Sequence, residues 1–505
     1  MNVTLHAVDG ATIPELRQRM AAGRLTAVEL TEFYLDRIRR IDPLLGAVLV
    51  VNPDAVAEAA ASDRRRAAGT ELGPLDGIPV LLKDNIDTAG LATTVGSRAL
   101  LATPPPADAE LVARLRAAGA VLLGKANLSE WLNFRSWYGT SGWSAVGGQT
   151  RNPYVLDRNP GGSSSGCAVA VAAGLTQVAV GTETDGSLLC PAAINGVVAL
   201  KPSLGLVPVG GLAVISTEQD TAGPIGRYVV DVALTLAALH GGQPGAGPAA
   251  ASSPGIGATV SLAGRRVGLW RMAGCDAEVD RVVVEAERTL EAAGCAVVDV
   301  ELPYQDEIGF AKFPALMAEV QRDLPAYLAG RPGAPQTIAE LVEFNRRDPV
   351  ELSLFGQEAF EEVLDAPTVH HPDYPTWRQT ATDLARRSID ETLAAHRLDA
   401  ILAPTSNPAW VTDYGAGDRA TLASTAPAAV AGYPSVTVPA GTAGPLPVGI
   451  SFFAGHRADA QVLALAAAFE QAVPARRDPG YLASLDSFAD STSIAATARE
   501  TTLPR

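Results

Sequence analysis

Lysine is scarce in this chain. Of 39 basic residues only Lys83, Lys125, Lys201 and Lys312 are lysine, and the rest are arginine. Arginine stays charged at any accessible pH, so a task that requires giving up a proton falls to one of these four. The six histidines, at 6, 240, 370, 371, 396 and 456, form no H-E-x-x-H pair and no Cys/His cluster, so no metal and no cofactor are expected. His370-His371, beside Pro372-Asp373, reads as a loop. The four cysteines, Cys167, Cys190, Cys275 and Cys295, make no C-x-x-C pair, which argues against a disulfide scaffold and for a reducing compartment. No run of about 18 apolar residues, the length needed to cross a membrane, occurs. Met1 to Gly10 shows no basic region followed by an apolar stretch, so no signal peptide is read and a cytoplasmic location is expected. There is no phosphate-binding G-x-x-x-x-G-K-[ST] loop. No G-x-S-x-G elbow frames a serine either, since Gly186-Ser187 runs on into Leu188-Leu189. A net charge of −16 argues against nucleic acid as a partner and against anionic membranes. The densest basic cluster, Arg64-Arg65-Arg66, reads as the solvated end of a helix.

What is present is a chain of 505 residues, 47% hydrophobic and 19% charged, enough to bury a large core. Thr12-Ile13-Pro14-Glu15 and Thr26-Ala27-Val28-Glu29 fit capping boxes and open two helices. Asp54 to Ala68 is a third, alanine-rich helix, so residues 1–70 are expected to be a helical segment packed on the core. From 71 the pattern changes. Gly77 to Leu82 is a short apolar run that stops at Lys83-Asp84-Asn85, as a buried strand delivering polar groups at its end would. Short strands at 121–123, 178–180 and 197–200 alternate with helices at 109–118 and after 166. Strand, helix and strand follow again over 266–300. The expected fold is α/β, a large mixed central sheet layered between helices, spanning 71–484. Within it, 241–257 is rich in Gly, Pro, Ala and Ser and reads as a surface loop; 305–396 reads as a helical region on the substrate side; and 485–505 reads as a flexible tail.

Two Gly/Ser segments carry the chemistry: Gly161-Gly162-Ser163-Ser164-Ser165-Gly166, and Gly181-Thr182-Glu183-Thr184-Asp185-Gly186-Ser187. One helix and one strand separate them. Turns rich in small residues and hydroxyls expose backbone N–H groups that can cradle an anion or a developing oxyanion. Together with Pro191-Ala192-Ala193 and Leu200-Lys201-Pro202-Ser203, these segments resemble the signature block of the amidase-signature family. Asp76 to Asp84 is similar to that family's lysine motif, and Ser187 follows Ser163 by 24 residues, as in the family's serine pair. Leu123 to Glu130, Gln219 to Pro224, Gly432 to Ser435 and Leu446 to Gly449 extend the resemblance over about residues 10–480. Within the family the likeness is closest to peptide amidases, through Ser129-Glu130-Trp131, Ser141 to Ser144, Gly147 to Pro153, Thr182 to Ser187 and Phe355 to Glu358. Many other members carry Gly where this chain has Asp185.

The resemblance implies an amidohydrolase in which Ser187 is the nucleophile, Ser163 a relay reached through a cis Gly162–Ser163 bond, and Lys83 the base. It further implies an oxyanion hole made by the backbone N–H groups of Thr184, Asp185, Gly186 and Ser187. The implied substrate is a small-molecule or peptide amide, cut at a C-terminal amide in peptide amidases. Trp131, Phe134, Trp143 and Phe355 are candidates to line the substrate cleft. Ser164 and Ser165 are expected to cap the helix that follows. Lys125 and Lys201 are expected to tie loops together, Asp84, Asn127 and Gln219 to serve as hydrogen-bonding scaffold, and Cys167 and Cys190 to be small core residues. A monomer or homodimer is expected. The rival readings are an amidase for small aliphatic or aryl amides, an amidotransferase A-type subunit working on charged tRNA, and a silent binding protein on the same scaffold.

Overall fold

A computed structural model describes residues 8, 10–241, 261–272, 274–418 and 423–488. The expected surface loop at 241–257 lies outside the described residues except for Gly241, and so does the expected tail apart from 485–488, which form a helical turn. In chain order the strands are β1 (Val48–Val51), β2 (Pro79–Lys83), β3 (Val121–Ala126), β4 (Trp143–Ser144), β5 (Gly148–Gln149), β6 (Val178–Glu183) and β7 (Val198–Lys201). There follow β8 (Thr221–Gly226), β9 (Arg266–Leu269), β10 (Ala296–Asp299), β11 (Ala400–Pro404), β12 (Ser435–Ala443) and β13 (Leu446–Phe453). All but the β4–β5 hairpin join one sheet of 11 strands, in the order β1-β3-β2-β6-β8-β7-β12-β13-β11-β9-β10. β3, β2 and β6 run parallel, and so do β11, β9 and β10, while the middle of the sheet is antiparallel. The mixed α/β sheet expected from the sequence is therefore present.

Parallel strands are covered on both faces, which is why β2 and β6 open on apolar runs, Pro79 to Leu82 and Val178 to Val180, and are buried along their whole length. Both capping boxes form, at the starts of helices Ile13–Ala21 and Ala27–Leu45. Residues 1–70 are not helical throughout: β1 pairs antiparallel with β3 and makes the sheet's edge. Helices Glu110–Ala117, Val229–His240, Asp459–Ala472 and Ala277–Ala292 lie side by side against the sheet. Helix Ser165–Ala172 is buried at all eight residues, because its small side chains let it pack closely across strands β3, β2, β6 and β8. The expected helical region contains Gln305–Leu328, Ile338–Arg347, Glu358–Asp365 and Tyr374–His396, with its own apolar cluster around Trp131, Leu316, Leu341 and Phe360.

Candidate active site

β2 and β6 are parallel neighbours in register, Leu82 facing Val180, so their carboxyl ends finish together at one edge of the sheet. That edge is where α/β folds gather ligands. The end of β2 delivers Lys83, which is fully buried. Its Nζ lies 2.7 Å from Ser163 Oγ, 3.0 Å from Thr182 Oγ1 and 3.3 Å from the Thr182 carbonyl. Burial disfavours the ammonium and brings the Lys83 pKa down to about 7, although Cys167, Asp220 and Glu183 pull the other way. An amine near that value is poised to take and return a proton at neutral pH.

Ser163 sits in the turn before helix Ser165–Ala172, after a cis Gly162–Ser163 peptide bond. Its carbonyl accepts from Ser129 N–H at 3.1 Å. Ser164 occupies the N-cap position, but its hydroxyl does not cap the helix. It donates to the Thr182 carbonyl at 3.0 Å and accepts from Thr182 N–H at 3.3 Å, and Ser165 Oγ donates to the Gly161 carbonyl at 2.5 Å. The capping expectation is corrected: both hydroxyls tie the Gly/Ser turn to β6 and to itself, because the turn is buried against β6.

The loop 184–187 continues β6. Ser164 N–H donates to the Ser187 carbonyl at 3.0 Å, so the two Gly/Ser segments touch. Ser187 is partly exposed, and its Oγ forms no hydrogen bond among the described residues. No hydrogen bond among these residues occupies the N–H groups of Thr184, Asp185, Gly186 or Ser187. The loop is held from outside. Glu183 accepts from Leu188 and Leu189 N–H at 2.8 and 3.0 Å, and Gln219 donates to the Thr184 carbonyl at 2.8 Å. Asp185 accepts from Lys312 Nζ at 2.6 Å and from Thr425 Oγ1 at 2.8 Å.

Asp84 and Asn127 are scaffold, as expected: Asp84 accepts from Thr94 N–H at 2.9 Å, and Asn127 Nδ2 donates to the Thr150 hydroxyl at 3.0 Å. Lys125 ties the loop after β2, through the Ile86 carbonyl and Thr93 Oγ1. Among the described residues Lys201 Nζ donates only to its neighbour's carbonyl at Pro202, 3.2 Å away. Cys167 is a buried core residue, whereas Cys190 is partly exposed and joins no apolar cluster. Of the four cleft candidates, Trp131 is 2% exposed and packs edge-on against Phe360, and Phe134 lines the same small apolar pocket. Trp143 and Phe355 instead flank Arg135, whose guanidinium carbon lies 5.2 and 4.5 Å from their ring centres. Arg135 in turn pairs with the buried Glu130 at 2.8 Å.

Sequence reasoning missed Thr182 and Glu183 as partners of the site, although both stand inside the quoted motif. It also left Lys312 without a role. The rarity of lysine was the one signal available. Among the described residues no group of three or more His, Cys, Asp or Glu side chains could hold a metal ion. Among them, too, no helix is long and apolar enough to cross a membrane.

The candidate site is thus a buried lysine of lowered pKa beside two serine-bearing turns. The chain belongs to the Amidase family, whose profile matches residues 29–463, and it is an amidase. It is 37% identical over 497 residues to a probable amidase of Arabidopsis thaliana, covering 94% of this chain and 93% of that one. It is also 37% identical to the A subunit of the Glutamyl-tRNA(Gln) amidotransferase of Symbiobacterium thermophilum, covering 90% of this chain and 95% of that one. Among solved structures it is similar to the peptide amidase PAM in complex with the competitive inhibitor chymostatin, at 46% identity and TM-score 0.88, covering 94% and 100% of the two chains. The A subunit of the Thermotoga maritima Glutamyl-tRNA(Gln) amidotransferase has the same fold at 26% identity and TM-score 0.67, covering 94% and 98%.

Proposed function

We propose that this amidase hydrolyses the C-terminal amide of peptide amides through an acyl-enzyme on Ser187. The observation that carries the reading is the fully buried Lys83 amine 2.7 Å from Ser163 Oγ. A neutral amine keeps two N–H donors, which match the carbonyl and hydroxyl of Thr182, and one lone pair, which faces Ser163. Ser187 Oγ attacks the substrate carbonyl as its proton passes to Ser163 Oγ, whose own proton passes to Lys83. The carbon–nitrogen bond then breaks, and the proton held by Lys83 returns through Ser163 to the leaving nitrogen as ammonia departs. Water cleaves the ester along the same path and gives the free acid. The unoccupied N–H groups of 184–187 take the negative charge on the carbonyl oxygen. Ser187 Oγ closes on Ser163 as substrate enters, since catalytic hydrogen bonds tighten in the complex.

The peptide-amide substrate is favoured over a tRNA-linked role by the 46% identity to peptide amidase, against 37% to the Symbiobacterium thermophilum amidotransferase A subunit and 26% to the solved Thermotoga maritima one. Phe134, Trp137 and Phe313 add an apolar surface beside Lys312, their rings meeting at 5.4 and 5.8 Å, on which peptide side chains can lie. Ammonia release from peptide amides, free Asn and Gln, simple aliphatic amides and anilides tests the reading. Peptide amides are expected to be turned over fastest, and Ser187→Ala is expected to abolish release with the fold intact. Retained release by purified Ser187→Ala would contradict the nucleophile assignment.

A further inference from the structure

Asp185 is an odd residue for a loop that works with its backbone. Its carboxylate stands two residues from Ser187, beside the place where the reaction builds negative charge. An unpaired anion there opposes the transition state, since charges are poorly screened in a site closed to water. The chain does not leave it unpaired. Lys312, on helix Gln305–Leu328, reaches Asp185 Oδ2 at 2.6 Å, and Thr425, at the N-cap of helix Ala426–Ala431, donates to Asp185 Oδ1 at 2.8 Å. The two partners come 127 and 240 residues later in the chain and from separate elements. Both side chains of the ion pair are largely shielded, at 21% and 23% exposure, unlike the solvent-facing pairs that contribute little. Of the four lysines, Lys312 is the one not fully buried, and Asp185 is its only ion-pair partner among the described residues.

We propose that Lys312 is a positioning residue of this active site: it neutralises Asp185 and pins the oxyanion loop to helix Gln305–Leu328, so that the loop's N–H groups stay aimed at the substrate carbonyl. The inference rests on the reading of 184–187 as the oxyanion hole. It makes the helical region part of the catalytic apparatus and not only a wall of the cleft. The role is electrostatic as well as mechanical, so two charge changes at the pair are not additive. Loss of Lys312 alone leaves a naked carboxylate. Loss of both charges leaves neither attraction nor repulsion.

The test compares kcat and KM on one peptide amide for wild type, Lys312→Met, Lys312→Arg, Asp185→Asn, the double variant Lys312→Met/Asp185→Asn, and Ser187→Ala. Lys312→Met is expected to lower kcat by about 10-fold or more, towards the ~10²–10³ that loss of an oxyanion donor costs, with KM changed by less than about 3-fold. Lys312→Arg, which keeps the charge, recovers most of kcat. The double variant is faster than Lys312→Met alone. A normal kcat for Lys312→Met, or losses that simply multiply in the double variant, overturns the proposal. Circular dichroism on each variant separates misfolding from a catalytic loss; where Lys312→Met misfolds, Lys312→Gln takes its place with the same expected loss, and a normal kcat in folded Lys312→Gln overturns the proposal equally. If Ser187→Ala is inactive while Lys312→Met is normal, only this inference fails. If Ser187→Ala stays active, the reading of the whole site fails.

Discussion

In the proposed mechanism Lys83 can serve as a base only because burial keeps water from it. A solvated lysine would be protonated at neutral pH, whereas burial brings this one to about 7. The catalytic form is the neutral amine, so kcat/KM is expected to rise with pH through about 7 and to level off above it. Removing the amine with Lys83→Ala is expected to cost about 10²–10⁴-fold at pH 7, with the deficit shrinking at high pH as hydroxide substitutes for the base. A pH–rate profile of the two proteins checks this, and an unchanged neutral rate in Lys83→Ala would remove the residue from the mechanism. Folding feels the same shift with a definite sign. The unfolded chain holds the lysine proton up to its ordinary value and the folded chain only up to about 7, so burial of Lys83 weighs against stability at and below neutral pH and ceases to do so in strong alkali. The proposed base is thus held at a cost to the stability of the fold.

Helix Ser165–Ala172 shows how tightly one element sets the site. Gly166 lies in its first turn, three residues after Ser163, and a Cβ there would meet the Ala47 carbonyl at 2.3 Å and Asn127 backbone atoms at 2.6 and 2.7 Å. Backbone cannot move aside as a side-chain tip can. Gly166→Ala is therefore expected to cost about 1–3 kcal/mol and to lower Tm by several degrees, with a loss of kcat as Ser163 shifts. Scanning calorimetry paired with ammonia release reads both, and a variant with unchanged Tm would contradict this account of the close approach. Such elements were legible in sequence where local chemistry agrees with the fold: the two capping boxes, the apolar run ending at Lys83, the small-residue helix. Others were not. β8 contains Gly223 and Pro224, which argue against a strand. The glycine is there because a Cβ would meet the Leu200 carbonyl at 2.1 Å, and β7 pairs only with Ile225 and Gly226, so the proline forfeits no bond to it. The turn Trp131–Asn133 adopts left-handed φ of 49°, 62° and 68°, and two of its three residues, Trp131 and Leu132, ordinarily avoid that region, so local sequence argues against it. The Lys312–Asp185 contact was illegible for a different reason: its partners are 127 residues apart, and only the packed fold joins them.

At the scale of the whole molecule, the ends of β2 and β6 and the turn before helix Ser165–Ala172 gather Lys83, Ser163 and Ser187 from three separate segments, and the helical region reaches the loop 184–187 through Lys312. The order of segments and the class of chemistry could be read from motifs. The way 305–396 completes the site could not, because that region carries no motif of its own beyond Phe355-Gly356-Gln357-Glu358. Every group the proposed reaction uses lies in this one chain, so the chain is expected to turn over peptide amides without a partner protein. The most direct measurement is a rapid quench of the purified chain with a peptide amide, followed by digestion and mass mapping. The account predicts a transient acyl adduct on the peptide containing Ser187, formed as ammonia is released and absent from Ser187→Ala. An adduct on any other residue, or full turnover with no adduct at all, would contradict it.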